Sequence, residues 1–362
     1  MSPTSPSRPR SPVPEVRLAD LTTLRLGGPA ADYVEATTEA ELIEAVVDAD
    51  ERGVPVLLVA GGSNLVVSDA GFSGRVVRIA TRGLSADVEP HDATCGGAVL
   101  TAAAGEVWDD VVAHAVTSGW SGVEALSGIP GSVGATPVQN VGAYGQEVAQ
   151  TIAQVRTFDR VERRQRTFSV AECGFSYRHS RFKAEPDRYL ILEVTFQLPA
   201  ASLSAPIAYG ELARTLGVEV GQRAPAADVR SAVLGLRAAK GMVLDAADHD
   251  TWSAGSFFTN PMLSADQART LPENAPRFPQ PDGSVKSSAA WLIEHAGFAK
   301  GFSPAQVEGR VSLSTKHTLA LTNRGGASAD DLMVLARTVR DGVEQAFGVR
   351  LVNEPVLVGL SL

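Results

Sequence analysis

Arg178, Ser256 and Glu354 stand where their types could do chemistry that their surroundings do not otherwise explain. Tyr177 and Arg178 sit together in Cys173 to Lys183, CGFSYRHSRFK. An aromatic ring beside a guanidinium suits a flat ligand next to a carboxylate, which arginine binds through its planar fork. An exposed basic turn is the other reading, and it leaves Phe175, Tyr177 and Phe182 without a reason. Ser256 follows a glycine and precedes two phenylalanines in Ala254 to Pro261, AGSFFTNP, so a turn presents a hydroxyl beside an apolar wall. A nucleophilic serine wants a histidine base and a Gly-x-Ser-x-Gly elbow. Neither is evident, and a proton donor needs less. Glu354 interrupts the apolar run Val349 to Gly359, VRLVNEPVLVG, which reads as a strand broken by Asn353-Glu354-Pro355. A carboxylate there is costly without a partner or a task.

Two glycine-rich pieces must help to position these groups. Gly119 to Glu147 reads GWSGVEALSGIPGSVGATPVQNVGAYGQE, too rich in glycine for an ordinary helix or strand. Ile129, Val133, Val138 and Val141 are interleaved with the glycines, which favours a buried irregular segment over a flexible surface loop. Its glycines would let backbone lie close against a flat or phosphorylated ligand, and that ligand would satisfy the amides. Val54 to Ala60, VPVLLVA, reads as a buried strand feeding Gly61-Gly62-Ser63-Asn64-Leu65. Successive amides in such a turn can point at a diphosphate, although a simple β-turn has the same composition. No Gly-Lys-Ser/Thr follows and no GxGxxG opens a helix, so the P-loop and Rossmann fingerprints are both missing.

The remaining elements alternate. Thr38 to Glu41 forms a capping box ahead of a helix using Leu42, Ile43, Val46 and Val47, stopped by Gly53. Val76 to Ala80 and Ala98 to Ala103 read as strands, and Glu106 to Ser118 as a helix against a sheet, with His114 in a structural or surface position. Tyr189 to Leu198 alternates as a half-buried strand with Leu190, Leu192, Val194, Phe196 and Leu198 on one side. Pro206 to Glu211 is turn-rich. Ala227 to Ala239 is a helix with Val229, Val233 and Leu236 inward, and Arg237 and Lys240 at its end suit the helix dipole. Trp291 reads as core. Leu313 to Asn323 reads as a strand bearing His317, and Ser328 to Phe347 as a long amphipathic helix.

Composition bounds the function. The 362 residues suggest two or three domains at ~100 to 200 residues each. Hydrophobic content of 44% with 20% charged residues describes a soluble globular protein, and no run is apolar enough to span a bilayer. The first fourteen residues hold five prolines and two arginines and read as a disordered tail, not a secretory signal. Cys95 and Cys173 lie outside any metal-binding spacing, so a metal site and a disulfide framework are not expected, and a reducing compartment fits. A net charge of -9 argues against nucleic acid as a partner.

The segments IPGSVGATPVQNVGAYG, GFSYRHSRFK and AGSFFTNP closely resemble the motifs of the UDP-N-acetylenolpyruvoylglucosamine reductase (MurB) family of bacterial cell-wall synthesis, over residues from about 20 to 362. The resemblance implies an α+β chain: a two-part FAD-binding α/β module of the PCMH/VAO type, then a C-terminal α+β substrate-binding domain. It implies residues 1–15 as a tail, 16–84 with 350–362 as the first FAD subdomain, 85–200 as the second, and 201–349 as the substrate domain. Non-covalent FAD would lie against Gly61, Gly62, Ser63, Asn64, Leu65, Ile129, Gly134, Ala135, Thr136, Asn140, Gly142 and Tyr177. NADPH would be the hydride donor and UDP-N-acetylglucosamine enolpyruvate the substrate, reduced to UDP-N-acetylmuramate for peptidoglycan. Arg178, Ser256 and Glu354 match the family's catalytic positions. Tyr209, Lys240, Asn260 and Lys286 match substrate contacts, with Tyr209 pointing to the branch that carries a tyrosine loop. Thr259 and the pair Pro355-Val356 depart from the commoner family residues. A cytoplasmic monomer without membrane contact is expected. An oxidase sharing this type of FAD domain and a non-catalytic nucleotide-sugar binder are the alternatives. The first would attach flavin to a histidine that the Gly61 turn lacks, and the second leaves Arg178, Ser256 and Glu354 idle.

Overall fold

The computed structural model describes residues 16–88 and 96–362, so the expected tail and Cys95 lie outside the described residues. The chain opens with β1 (Ala30–Ala36), α1 (Glu39–Glu51), β2 (Val56–Val59), β3 (Leu65–Val67) and β4 (Phe72–Ile79). Three of these strands form a parallel sheet in the order β1-β4-β2. Thr38 and Glu41 make the reciprocal capping box of α1, which satisfies amides that the first turn cannot bond internally. Helix α1 buries Leu42 and Val46 against Val77. The short β3 pairs elsewhere, in parallel with the last strand of the chain, β18 (Val356–Val358, numbered after the elements given below).

An antiparallel sheet follows, built from β5 (Leu84–Val88), β6 (Gly97–Ala103), β9 (Ile152–Asp159), β10 (Arg164–Ser169) and β11 (Tyr189–Pro199) in the order β10-β9-β11-β6-β5. Between β6 and β9 lie α2 (Trp108–Thr117) and a small hairpin, β7 (Gly142–Ala143) with β8 (Gln146–Glu147); α3 (Arg181–Ala184) precedes β11. Strand β11 departs from the alternation expected of it. Ile191 and Glu193 face consecutive residues of β9, Thr157 and Arg156, so Leu192 is an extra residue in the ladder. A bulge of this kind exchanges the faces of a strand. Leu190 and Leu192 therefore pack with α1, whereas Val194, Phe196 and Leu198 join the core around Trp108, and most of the strand is buried on both sides.

The last part contains α4 (Gly210–Leu216), α5 (Ala226–Ala239), β12 (Ser253–Ser256), β13 (Met262–Leu263), α6 (Ala265–Thr270), β14 (Phe278–Pro279), β15 (Val285–Lys286), α7 (Ala289–His295), β16 (Val311–Leu313), β17 (Ala320–Asn323) and α8 (Ala329–Phe347). Sheets β12-β17-β16 and β13-β15-β14 flank a core to which α8 contributes Leu332, Leu335, Val339 and Val343, all fully buried. Each such side chain stabilises by roughly 1.5–3 kcal/mol. Gly348 ends α8 in the left-handed conformation at φ +65°.

Two expected strands are corrected here. Leu313 to Asn323 is a hairpin, because Ser314 Oγ accepts the amides of Lys316 and His317 and turns the chain between β16 and β17. From Val349 to Gly359 only Val356–Val358 is strand. Asn353 Nδ2 donates to Pro355 O at 2.8 Å, a local turn that places Glu354 in a loop just ahead of β18.

Candidate active site

Glu354 is where the distant parts of the chain meet. Its amide donates to Phe257 O at 2.8 Å, one residue beyond Ser256, and Val356 N donates to Asn64 O at 2.9 Å. Its side chain is 11% exposed and its Oε1 lies 3.1 Å from Arg178 Nε. That contact is an ion pair whose N–H is not aimed along the line to the oxygen. Gln139 Nε2 donates to the same oxygen at 3.0 Å. Burial pushes the Glu354 carboxyl above the ordinary carboxylate range, against the opposing pull of Arg178, Lys183 and Gln139.

Arg178 reaches this point from a tight turn in which Ser176 and His179 exchange backbone hydrogen bonds. Its φ is +53°, a conformation that costs a non-glycine residue on the order of 1 kcal/mol. Its Nη2 donates to Gly142 O at 3.0 Å and its carbonyl accepts from Lys183 Nζ at 3.0 Å. Ser256 closes β12 after Gly255 at φ +71°, opposite Ala320 of β17. Its hydroxyl makes no hydrogen bond among the described residues, which leaves it available to a ligand. The Tyr177 ring carries Lys286 Nζ 4.9 Å from its centroid. Asn260 Oδ1 accepts from Ala289 N at 3.0 Å, so this residue also anchors the start of α7.

A second cluster forms at the end of α5. Lys240 Nζ bonds Glu211 of α4 at 2.5 Å and lies 5.6 Å from the Tyr144 ring, which meets the exposed Tyr209 edge to face at 5.5 Å. His317, in the hairpin turn, is held down to about 4 by burial and by the nearby Lys240, Lys300 and Arg237 charges. It is a neutral imidazole at pH 7. The expected substrate contacts thus fall in two groups, Asn260 and Lys286 around Tyr177, and Tyr209 and Lys240 around Tyr144.

The glycine-rich wall is built differently from the expectation. A Cβ on Gly61 would stand 2.6 Å from Gly131 Cα, and one on Gly134 would stand 2.6 Å from Ala104 Cβ. These glycines let two stretches of backbone touch each other, and the ligand surface is what that contact leaves open. Most amides of the stretch are likewise bonded within the protein: Gly134 N to Ala104 O, Thr136 N to Val133 O, Val141 N to Thr136 O. Thr136 Oγ1 and the Asn140 amide hold the loop, through Val133 O and Glu147. Leu65 starts β3, and Ser63 Oγ donates to Pro130 O at 3.0 Å, joining the turn to the wall. The amides of Gly61, Gly62, Ser63 and Asn64 donate to no group among the described residues. Ser132 Oγ, on the wall itself, is buried without a partner. Unused amides in a row beside an unsatisfied hydroxyl fit the diphosphate of a dinucleotide. Buried Cys173, its thiol pushed up to about 12 by burial, is inert packing.

Residues 247–358 match the family model described as UDP-N-acetylenolpyruvoylglucosamine reductase, C-terminal domain, and residues 30–164 match an FAD binding domain. A UDP-N-acetylenolpyruvoylglucosamine reductase of Cutibacterium acnes is 59% identical over 348 residues, 96% of this chain and 90% of that protein. The chain belongs to that reductase family. A reductase of the same name from Streptomyces coelicolor is 55% identical and aligns over 99% of this chain and 94% of its own. The crystal structure of the reductase (MurB) from Thermus caldophilus superposes with a TM-score of 0.63 at 25% identity, covering 95% of this chain and 98% of that one. The mixed helix and strand content agrees with the α+β class.

Three further residues that shape the candidate site are not distinguished by the motifs. Gln139 and Ser132 were embedded in the quoted signature, and only their three-dimensional partners distinguish them. Glu124 is fully buried and accepts from Gly122 N, Gln146 Nε2 and Ala205 N. It pins the wall to the chain leading into α4. Its signal in the sequence was an acidic residue inside an apolar, glycine-rich run.

Proposed function

We propose that this chain reduces UDP-N-acetylglucosamine enolpyruvate to UDP-N-acetylmuramate, with NADPH as the hydride donor, as a cytoplasmic monomer of the branch with a tyrosine loop. The observation that carries the reading is Glu354, held between Arg178 and Gln139 and bonded through its backbone beside Ser256, in a member of this family. Among the described residues no helix is long and apolar enough to cross a membrane. Of the division into 16–84 with 350–362, 85–200 and 201–349, the return of 350–362 to the first part is supported by the pairing of β18 with β3.

Bound FAD would supply hydride to the terminal carbon of the enolpyruvyl group. Gly61 to Asn64 and Ser132 would hold its diphosphate, and Tyr177 would flank its ring. Arg178 Nη1, the terminus not used by Gly142, would bind the substrate carboxylate. Glu354 in its neutral form would donate a hydrogen bond to the same carboxylate as negative charge builds there, which is the task its burial suits. Ser256 would deliver the proton to the adjoining carbon. A serine is a weak acid, so it acts only on a strongly basic carbon. Lys240 and Lys286 would take the phosphates, and Tyr209 would cover them. Purified protein that stays colourless and takes up no FAD on reconstitution would end this reading. Turnover of NADPH that depends on the enolpyruvyl sugar nucleotide supports it.

A further inference from the structure

Gln139 is absent from the roles above, yet its side chain links the turn at Asn64 to Glu354. Asn64 Nδ2 donates to Gln139 Oε1 at 3.2 Å and also to the backbone carbonyl of Glu354 at 3.4 Å. A carbonyl oxygen only accepts, so the Asn64 group facing it is the NH2. Gln139 must then turn its oxygen to Asn64 and its own NH2 to Glu354 Oε1, 3.0 Å away. Arg178 Nε faces that same oxygen at 3.1 Å. Lys183, bonded to the Arg178 carbonyl, is the further charged group that acts on this carboxyl.

We propose that Gln139 is a positioning residue, oriented by Asn64, that occupies Glu354 Oε1 as an acceptor so that any proton Glu354 carries resides on Oε2. The inference rests on the reading that Glu354 acts at the substrate carboxylate. It gives that carboxyl one fixed oxygen and one working oxygen. The same amide chain joins the turn that would hold the cofactor diphosphate to the reacting end of the site. A proton on Oε1 would meet the Gln139 NH2, itself a donor, and would stand beside the positive guanidinium of Arg178, which is why the alternative placement is disfavoured.

The test uses the FAD holoenzyme with Gln139→Leu and the isosteric Gln139→Glu, which preserves shape where leucine impairs folding. The Glu354 carboxyl is followed by carbon-13 NMR of glutamate-labelled protein, assigned by its loss in Glu354→Gln. Flavin reduction by NADPH and reoxidation by the enolpyruvyl sugar nucleotide are measured separately by stopped flow. Both variants should keep FAD and wild-type reduction by NADPH. The Glu354 titration midpoint should move to higher pH, since a donor favouring the ionised form is gone. Compared below the midpoint, where Glu354 is neutral in wild type and variant alike, reoxidation should slow by about two- to tenfold, the size of one uncharged hydrogen bond, and its fall with rising pH should shift to higher pH. An unmoved Glu354 midpoint in Gln139→Glu overturns the proposal, as does a parallel loss of FAD binding and both half-reactions with that midpoint unchanged. If reduced wild-type enzyme is not reoxidised by the substrate, the functional reading fails instead, and the carboxyl titration still decides the orientation.

Discussion

Arg178 reaches Glu354 out of a left-handed backbone conformation: at φ +53° its Nε lies 3.1 Å from Glu354 Oε1 while its Nη2 is fixed on Gly142 O. The turn gives up some backbone stability and holds the guanidinium beside a carboxyl that burial raises above its ordinary value. Arg178→Lys keeps a positive charge and loses the fork. Reoxidation of the reduced flavin by substrate should slow by about 10²–10³-fold, with reduction by NADPH little changed. Equal slowing of both half-reactions would point to a damaged flavin site.

The pH dependence follows from the same carboxyl. Glu354 is raised above its ordinary value of 4.5 by burial, and on the proposed mechanism its neutral form would be the hydrogen-bond donor. Reoxidation should therefore be fastest below the folded-state midpoint and fall as pH rises through it. Glu354→Gln keeps a donor that does not titrate, so this limb should vanish from its stopped-flow profile. A limb that survives in the variant belongs to another group.

Lys240 and Glu211 should act with opposite signs. Lys240→Ala should raise the KM for the sugar nucleotide roughly tenfold or more, with flavin reduction unaltered. Glu211→Gln releases the lysine from its 2.5 Å partner and should lower that KM. A higher KM in both variants would mean that the ion pair positions Lys240.

Much of the candidate site is proposed from the residues alone because its parts lie in short contiguous motifs: the turn at Gly61, the pair Tyr177-Arg178, the presented Ser256. What could not be read is set by pairing across the fold. Leu192 looks like any strand residue until the pairing shows that no residue of β9 stands opposite it. Gln139 is one polar residue among several until Asn64 and Glu354 orient its amide. In the sequence Glu354 interrupts an apparent strand, and the turn made by Asn353 and Pro355 places it in a loop instead. The wall glycines suggest room for a ligand in the sequence, which cannot show that Ala104 and Gly131 fill those spaces.

Gly134→Ala tests that last point. Its new methyl would meet the Ala104 side chain at 2.6 Å, with bonded backbone on both sides, so the wall must shift. Lower FAD affinity and a lower Tm are expected, read by flavin fluorescence and calorimetry. An unchanged FAD affinity would show that the wall has room to spare.

Stability at acid pH should track Asp331. The Arg310 guanidinium lies 2.9 Å from each of its oxygens, and with the capping amide of Ser328 it holds the carboxyl down to about 2, from an ordinary 3.8. A depressed carboxylate contributes stability that is complete above its unfolded value and is lost as pH falls through the folded one. Asp331→Ala should lose about 1 kcal/mol in urea unfolding at neutral pH, and the difference from wild type should shrink between pH 3.8 and about 2. A constant difference across that window would remove the charge from the explanation.

On the proposed mechanism Ser256 supplies the proton separately from the hydride. Ser256→Ala holoenzyme, mixed with NADPH and then with UDP-N-acetylglucosamine enolpyruvate in a stopped-flow spectrometer, tests it directly. The visible flavin band should bleach at the wild-type rate and then return very slowly, on the order of 10³-fold or more below wild type. Return at the wild-type rate would take the proton away from Ser256 and contradict the assignment.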